Sequence, residues 1–154
     1  MPSPEIRRLT VADLPVAKEL RLAALLDAPN AFMSTYADSV ARSEEQWVSW
    51  IEAVAVFGAF LDGRPAGMVG AIRPEEGLTE LISMWVSPDA RGHRLAGRLA
   101  EAVVGFARES GDRAVHLEVI AGNDAAESAY LKSGFRHIPK RKDGQRDRSM
   151  WLDV

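Results

Sequence analysis

The chain has 154 residues, 47% of them hydrophobic and 27% charged, with a formal net charge of −3 and no cysteine. That length can bury a core in one domain spanning residues 1–154, and the missing cysteines exclude a disulfide framework, a thiol nucleophile and a cysteine-based zinc site. The negative charge argues against a nucleic-acid partner, no apolar run approaches the ~18 residues that span a bilayer, and Met1-Pro2-Ser3-Pro4-Glu5 lacks the pattern of a secretion signal, so a cytoplasmic protein without a membrane partner is expected.

In chain order, Ile6, Arg8 and Thr10 alternate with Arg7 and Leu9 as in a short strand. Thr10 or Asp13 is placed to cap a helix in which Leu14, Ala17, Leu20, Ala24 and Leu25 recur at helical spacing, and Asp27-Ala28-Pro29-Asn30 ends it. Ser43 followed by Gln46 is a capping box opening a second helix through Trp47, Trp50 and Ile51. Two apolar runs, 54–61 and 66–73, flank Asp62-Gly63, a strong hairpin signal. A strand over 78–87 stops at Pro88. The helix predicted over 96–110 carries its apolar stripe on Leu95, Leu99, Ala102, Val103 and Phe106 and closes at Gly111. A strand over 114–121, a helix over 125–133, a strand over 135–138 and a last strand over 148–154 follow. This order predicts an α+β fold. Its sheet is mixed, with about seven strands and about four flanking helices, antiparallel first and then parallel where crossover helices intervene.

The most informative stretch is Val86-Ser87-Pro88-Asp89-Ala90-Arg91-Gly92-His93-Arg94-Leu95-Ala96-Gly97-Arg98-Leu99. A strand ends there and a helix begins beyond a loop rich in glycine and arginine. A helix start offers unpaired N–H groups and the positive end of the dipole. Gly92 and Gly97 let backbone approach a ligand, and Arg91, Arg94 and Arg98 add charge suited to a pyrophosphate. The bland alternative is a solvated, Arg-rich helix start. Gly92 and Gly97 have P-loop spacing, but Arg98-Leu99 stands where that motif needs Lys and then Ser or Thr, so magnesium would lack its hydroxyl. No G-x-G-x-x-G fingerprint occurs here either.

The stretch resembles the coenzyme A loop of the GNAT superfamily: Arg or Gln, two residues, Gly, one residue, then Gly or Ala. Arg91 and Ala96 fit this pattern, and Arg94 replaces its middle glycine. Further on, the superfamily has Asn, two residues, Ala, three residues, Tyr, three residues and Gly-Phe. Asn123, Ala126, Tyr130, Gly134 and Phe135 all fit. Matches in this order and spacing cover 80–135, while the first half resembles the superfamily more loosely, through Arg7 to Leu9, Leu20-Arg21 and Asp62-Gly63.

The resemblance implies a GNAT-like fold, acetyl-CoA as co-substrate, and transfer of acetyl to a primary amine of a small molecule or peptide. It places acetyl-CoA on Met84, Trp85, Val86, Arg91, Gly92, His93, Arg94, Leu95, Ala96, Gly97, Asn123 and Tyr130, with the β-strand backbone at 84–86 pairing with the pantetheine arm. The Tyr130 hydroxyl would protonate the departing thiolate. With no cysteine to carry an acyl group, direct attack by the amine is the economical route. The amine arrives protonated and needs a base. Glu80, six residues before Val86, is the first candidate and Glu118, on the next strand, the second.

Each residue has a structural alternative: Asn123 as a helix cap, Tyr130 as a core aromatic, both glutamates as solvent-facing strand residues. His93 reads as a loop donor and His116 as a strand-face residue, and no histidine–carboxylate spacing calls for a metal. A catalytically weak coenzyme A-binding or sensor module remains the alternative function, an interaction protein using the fold is the least favoured, and a homodimer is left open. Lys140, Arg141, Lys142, Arg146 and Arg148 crowd the connection between the last two strands. A solvated hairpin is the favoured reading of that run; a basic rim attracting an amine that also bears a carboxylate or phosphate is the other.

Overall fold

A computed structural model of the chain describes residues 3–29, 32, 34–120, 123–139 and 148–154. Local chemistry explains most element starts. Asp13 accepts the Thr10 N–H at 3.0 Å, closing the 3-10 turn Val11–Asp13 that leads into helix α1 (Leu14–Asp27) after strand β1 (Pro4–Leu9). Thr10 therefore ends the strand instead of belonging to it. At helix α3 (Glu44–Ala53) the predicted capping box is formed: the Ser43 hydroxyl accepts the Gln46 N–H at 3.2 Å, and the Gln46 side chain accepts the Ser43 N–H at 2.8 Å. Between these lies a short helix, α2 (Tyr36–Val40), whose Thr35 hydroxyl accepts the Asp38 N–H at 3.1 Å. Five residues are too few to show helical periodicity, so the sequence reading passes over α2 and the helices number five instead of about four among the described residues.

Strands β2 (Ala55–Leu61) and β3 (Arg64–Glu75) are joined by the predicted two-residue turn, in which Asp62 (φ 50°) and Gly63 (φ 79°) both take left-handed backbone. That backbone matches the twist of the flanking strands. Strand β4 (Leu78–Val86), helix α4 (Leu95–Glu109), strand β5 (Ala114–Val119), helix α5 (Asp124–Lys132) and strands β6 (Arg136–Ile138) and β7 (Arg148–Asp153) complete the order. The seven strands form one sheet, β1-β2-β3-β4-β5-β7-β6, antiparallel except for β4 with β5. Among the described residues no helix is long and apolar enough to cross a membrane.

Each face of the sheet buries its own core. On one, Leu95, Leu99, Val103 and Ala107 of α4 and Tyr130 of α5 meet Val69, Leu81, Val115, Leu117 and Met150. On the other, Leu14, Ala17, Leu20 and Ala24 of α1 and Trp47 and Ile51 of α3 meet Leu9, Val56, Phe60, Met68 and Trp85. Each fully buried leucine of this kind contributes about 1.5–3 kcal/mol.

Two irregularities position the site. Strands β4 and β5 pair only at Leu78 with Ala114, Thr79 with Val115 and Glu80 with His116. Beyond that rung β4 continues along β3 and β5 along β7, so the strands splay apart. Just past the split, Ser83 and Met84 together face one β3 residue, between the pairs Met68–Trp85 and Gly70–Ile82, and Ser83 has φ 57°. This bulge re-aims β4 away from β5. The closed end of the split is pinned by Asp112, whose side chain is fully buried: Arg73 Nη2 donates to it at 2.6 Å and Thr79 Oγ1 at 2.6 Å. The Arg73 guanidinium holds the Asp112 carboxyl below the usual carboxylate range.

Candidate active site

Strand β4 leads through Ser87 and the 3-10 turn Pro88–Ala90 into the 91–94 loop and the first turn of α4. Here Gly92 has φ 90° with nothing within 4 Å of where a Cβ would stand, and Arg94 has φ 59° as the residue preceding α4. Arg94 thus holds the left-handed backbone that a glycine adopts freely. In an L-residue this costs about 1–2 kcal/mol. The helix start has no side-chain cap and no acidic residue in its first turn. The first bond back into the loop runs from Arg98 N–H to the Arg94 carbonyl at 3.3 Å, which leaves the N–H groups of Leu95, Ala96 and Gly97 ahead of the helical ladder. Ala96 and Gly97 line a groove of 820 Å³ between this loop and α5, together with Gly92, His93, Arg94, Arg98 and Glu101 on one side and Ala125, Ser128, Ala129, Lys132 and Ser133 on the other. Such a volume suits a cofactor-sized ligand. The side chain of Leu95 is buried in the core and does not line this groove.

The arginines divide by role. Arg94 and Arg98 line the groove, whereas Arg91 turns away from it, donating to Asp27 at 3.2 Å and to the Val86 carbonyl at 3.3 Å. Asp27, at the end of α1, also accepts the Trp85 indole N–H at 2.9 Å. It therefore ties the end of β4 and the loop to α1, a role that sequence reading missed because its partners lie 58 and 64 residues away. His93 donates through Nδ1 to the Ala90 carbonyl at 3.0 Å, which leaves Nε2 as the acceptor of the neutral ring.

A smaller cavity of 110 Å³ occupies the split between β4 and β5, lined by Ser83, Met84, Glu118, Val119, Asn123, Ala126, Tyr130 and Phe32, among others. Tyr130 is only 5% exposed and its ring meets Phe135 edge-on at 5.8 Å. Burial alone pushes its hydroxyl well above the ordinary phenol range, so the group keeps its proton throughout the physiological range. Asn123 caps α5, accepting the Ala126 N–H at 3.4 Å, while also lining the cavity. No spacing in the sequence points to Phe32, which also lines this cavity.

Of the two glutamates, Glu118 lines this cavity, whereas Glu80 sits on the last paired rung opposite His116. Two-residue alternation puts Glu80, His116 and Glu118 on one face of the sheet. His116 is buried there beside Trp151, with ring centres 6.3 Å apart. Lys140, Arg141, Lys142 and Arg146 lie outside the described residues. Arg148 donates to the buried Glu127 at 2.9 Å, and Glu127 also meets His137 at 2.9 Å. Among the described residues no group of three or more His, Cys, Asp or Glu side chains could hold a metal ion.

A helix start lacking both a side-chain cap and a first-turn acid thus stands near a split between parallel strands that holds a buried tyrosine. The chain matches the model of the Acetyltransferase (GNAT) family over residues 22–135 and belongs to that family. Its fold is similar to that of an acetyltransferase of the GNAT family from Streptococcus pneumoniae, with a TM-score of 0.80 at 19% identity over 99% of each chain. It is also similar to PaiA N-acetyltransferase from Thermoplasma acidophilum, solved in complex with coenzyme A, with a TM-score of 0.76 at 23% identity over 99% of each chain. A Xenopus laevis protein named "Probable N-acetyltransferase camello" is 36% identical over 80 residues, which is 51% of this chain and 36% of that relative's length.

Proposed function

We propose that residues 1–154 form one N-acetyltransferase domain that moves acetyl from acetyl-CoA to a primary amine of a small molecule or peptide. The observation that carries this reading is the α4 start: leading N–H groups, no cap and no acid in the first turn, beside a groove that Arg94, Arg98 and Lys132 line together with Glu101. A pyrophosphate supplies the negative oxygens such a start lacks. The pantetheine arm then follows α5 toward the split, where β4 past Glu80 has no partner on its β5 side among the described residues. There the backbone at 84–86 pairs with the arm, and an N–H of that stretch polarises the thioester carbonyl.

The chemistry is a direct displacement. A glutamate accepts a proton from the ammonium, and the freed nitrogen attacks the carbonyl carbon. The C–N bond forms, the C–S bond breaks, and the electron pair leaves with sulfur. Tyr130, kept neutral by burial, gives the thiolate its proton and is restored from the proton the new amide nitrogen loses. Glu118 is the better placed base because it lines the cavity that Tyr130 lines; Glu80 stands one rung deeper.

A thiol-release assay with acetyl-CoA across amines, polyamines, amino acids and peptide N-termini tests this. Turnover on one class of amine is expected. Tight coenzyme A binding without thiol release on any amine would instead mark a sensor module.

A further inference from the structure

On the α1 side of the cleft the structure holds a concentration of buried donors for which the acetyl-transfer chemistry has no use. Arg21, on α1, is 6% exposed. Its Nε and Nη1 are buried with no hydrogen-bond partner among the described residues, and the same holds for Ser39 Oγ, Arg42 Nη1 and Trp47 Nε1. Arg42 stacks over the Trp47 ring at 4.9 Å, and Lys18 Nζ lies 5.7 Å from that ring. None of the ion pairs among the described residues involves Arg21 or Arg42. All five atoms can donate and three belong to guanidinium groups, so positive charge is concentrated in this corner.

Burying an unpaired charge costs several kcal/mol, and two neighbouring cations repel as well. Burial, reinforced by Arg42, lowers the Arg21 pKa to about 10, which still leaves it cationic at neutral pH. The cost is offset when an anion meets the donors. The corner also touches the reaction site: the Arg21 guanidinium lies 4.9 Å from the centre of the Phe32 ring, and Phe32 shares the wall of the 110 Å³ cavity with Met84, Glu118 and Tyr130.

We propose that Arg21, assisted by Arg42 and Ser39, recognises a carboxylate carried by the acceptor amine. This rests on the acetyltransferase reading and adds to it a substrate class: amines that bear a nearby carboxylate, such as amino acids or short acidic peptides. Polyamines are disfavoured, since they would bring positive charge to a site already holding two guanidinium groups and an ammonium.

The test compares kcat/KM for an amino acid and for its amide, which share the amine and differ in the charge, in wild type, Arg21→Lys and Arg21→Met. The wild type should favour the acid by about 10- to 100-fold, the range for a hydrogen bond to a charged group. That ratio should collapse toward one in Arg21→Met and be partly kept in Arg21→Lys. A ratio near one in wild type, or an equal ratio in wild type and Arg21→Met, would overturn the proposal. If Arg21→Met does not fold, Arg42→Met is read in the same way.

Thermal unfolding with added acetate or sulfate, without acetyl-CoA, gives a second readout that needs no turnover. Stabilisation by acetate that is lost in Arg21→Met supports a carboxylate site even if no amine is acetylated, an outcome that would count against the acetyltransferase reading alone. Absence of stabilisation by either salt counts against any anion site. Stabilisation by sulfate with an acid-to-amide ratio of one would show a site for free anions and overturn its assignment to the acceptor.

Discussion

The two sides of the cleft are built from different materials. On the α4 side the proposed binding groups are backbone N–H groups of consecutive residues, Leu95 to Gly97, set by one loop and one helix start. On the α1 side the proposed groups are side chains from separate parts of the chain, with Arg21 stacked on Phe32 and near enough to Arg42 to feel its charge. Backbone recognition reads a chemical feature common to many ligands, a pyrophosphate. Side-chain recognition is free to vary, and the choice of acceptor is proposed to rest on it. The difference predicts that substitutions on the α4 side disturb coenzyme A binding, while those on the α1 side disturb the choice of amine.

The largest expected effect falls where the two sides meet. Tyr130→Phe should lower kcat by about 100-fold or more, because protonation of the leaving group is needed only as charge develops on sulfur. Coenzyme A affinity, measured by calorimetry, should stay near wild type. A variant with wild-type kcat under chemistry-limited conditions would reduce Tyr130 to a core aromatic.

Next in size is Gly92→Asp, which tests the α4 side alone. It places a side chain at φ 90° and a negative charge beside the helix start. Together these should cost about 2–3 kcal/mol, or roughly 30- to 150-fold in the Kd of coenzyme A. Unchanged affinity would move the phosphate site elsewhere.

The glutamates sharpen the comparison at the split. Glu118→Gln should lose about tenfold more activity at neutral pH than Glu80→Gln, with the loss shrinking as pH rises toward the amine pKa of about 10.4, where the acceptor is already neutral. A larger, pH-rescued loss in Glu80→Gln would return the base role to the residue that the superfamily resemblance favours.

The smallest effect concerns the backbone at Arg94. Arg94→Gly removes left-handed strain at φ 59° and should raise stability by about 1 kcal/mol in denaturant unfolding. It also removes a charge from the groove, so coenzyme A affinity should fall modestly despite the gain in stability. A stability loss instead would mean that the Arg94 side chain holds the loop in ways its backbone does not reveal.

This division explains what could be read in the sequence. The strand order, the hairpin at Asp62-Gly63 and the Ser43 capping box are short-range features, each set by neighbours within a few residues. So is the α4 loop, whose glycines and arginines sit next to the helix they precede. The α1 side is different. Leu20 and Ala24 announce a buried helix face, but their spacing gives no sign that Arg21 beside them is buried as well. Likewise Asp27 looks like a helix-ending residue, and only the tertiary structure delivers the Trp85 indole and the Arg91 guanidinium to it. Long-range pairing leaves no spacing to count.

The most direct test of the account is a coenzyme A titration followed by backbone amide NMR. The predicted result is that the largest shifts fall on residues 92–97 and 84–86, the helix start and the free edge of β4. A second groove, of 580 Å³, lies on the far side of the same loop, lined by Leu61, Asp62, Arg64, Pro65, Ala66 and Ser87 among others. Shifts centred on 61–66, with 95–97 unmoved, would contradict the claim that the α4 start binds the pyrophosphate.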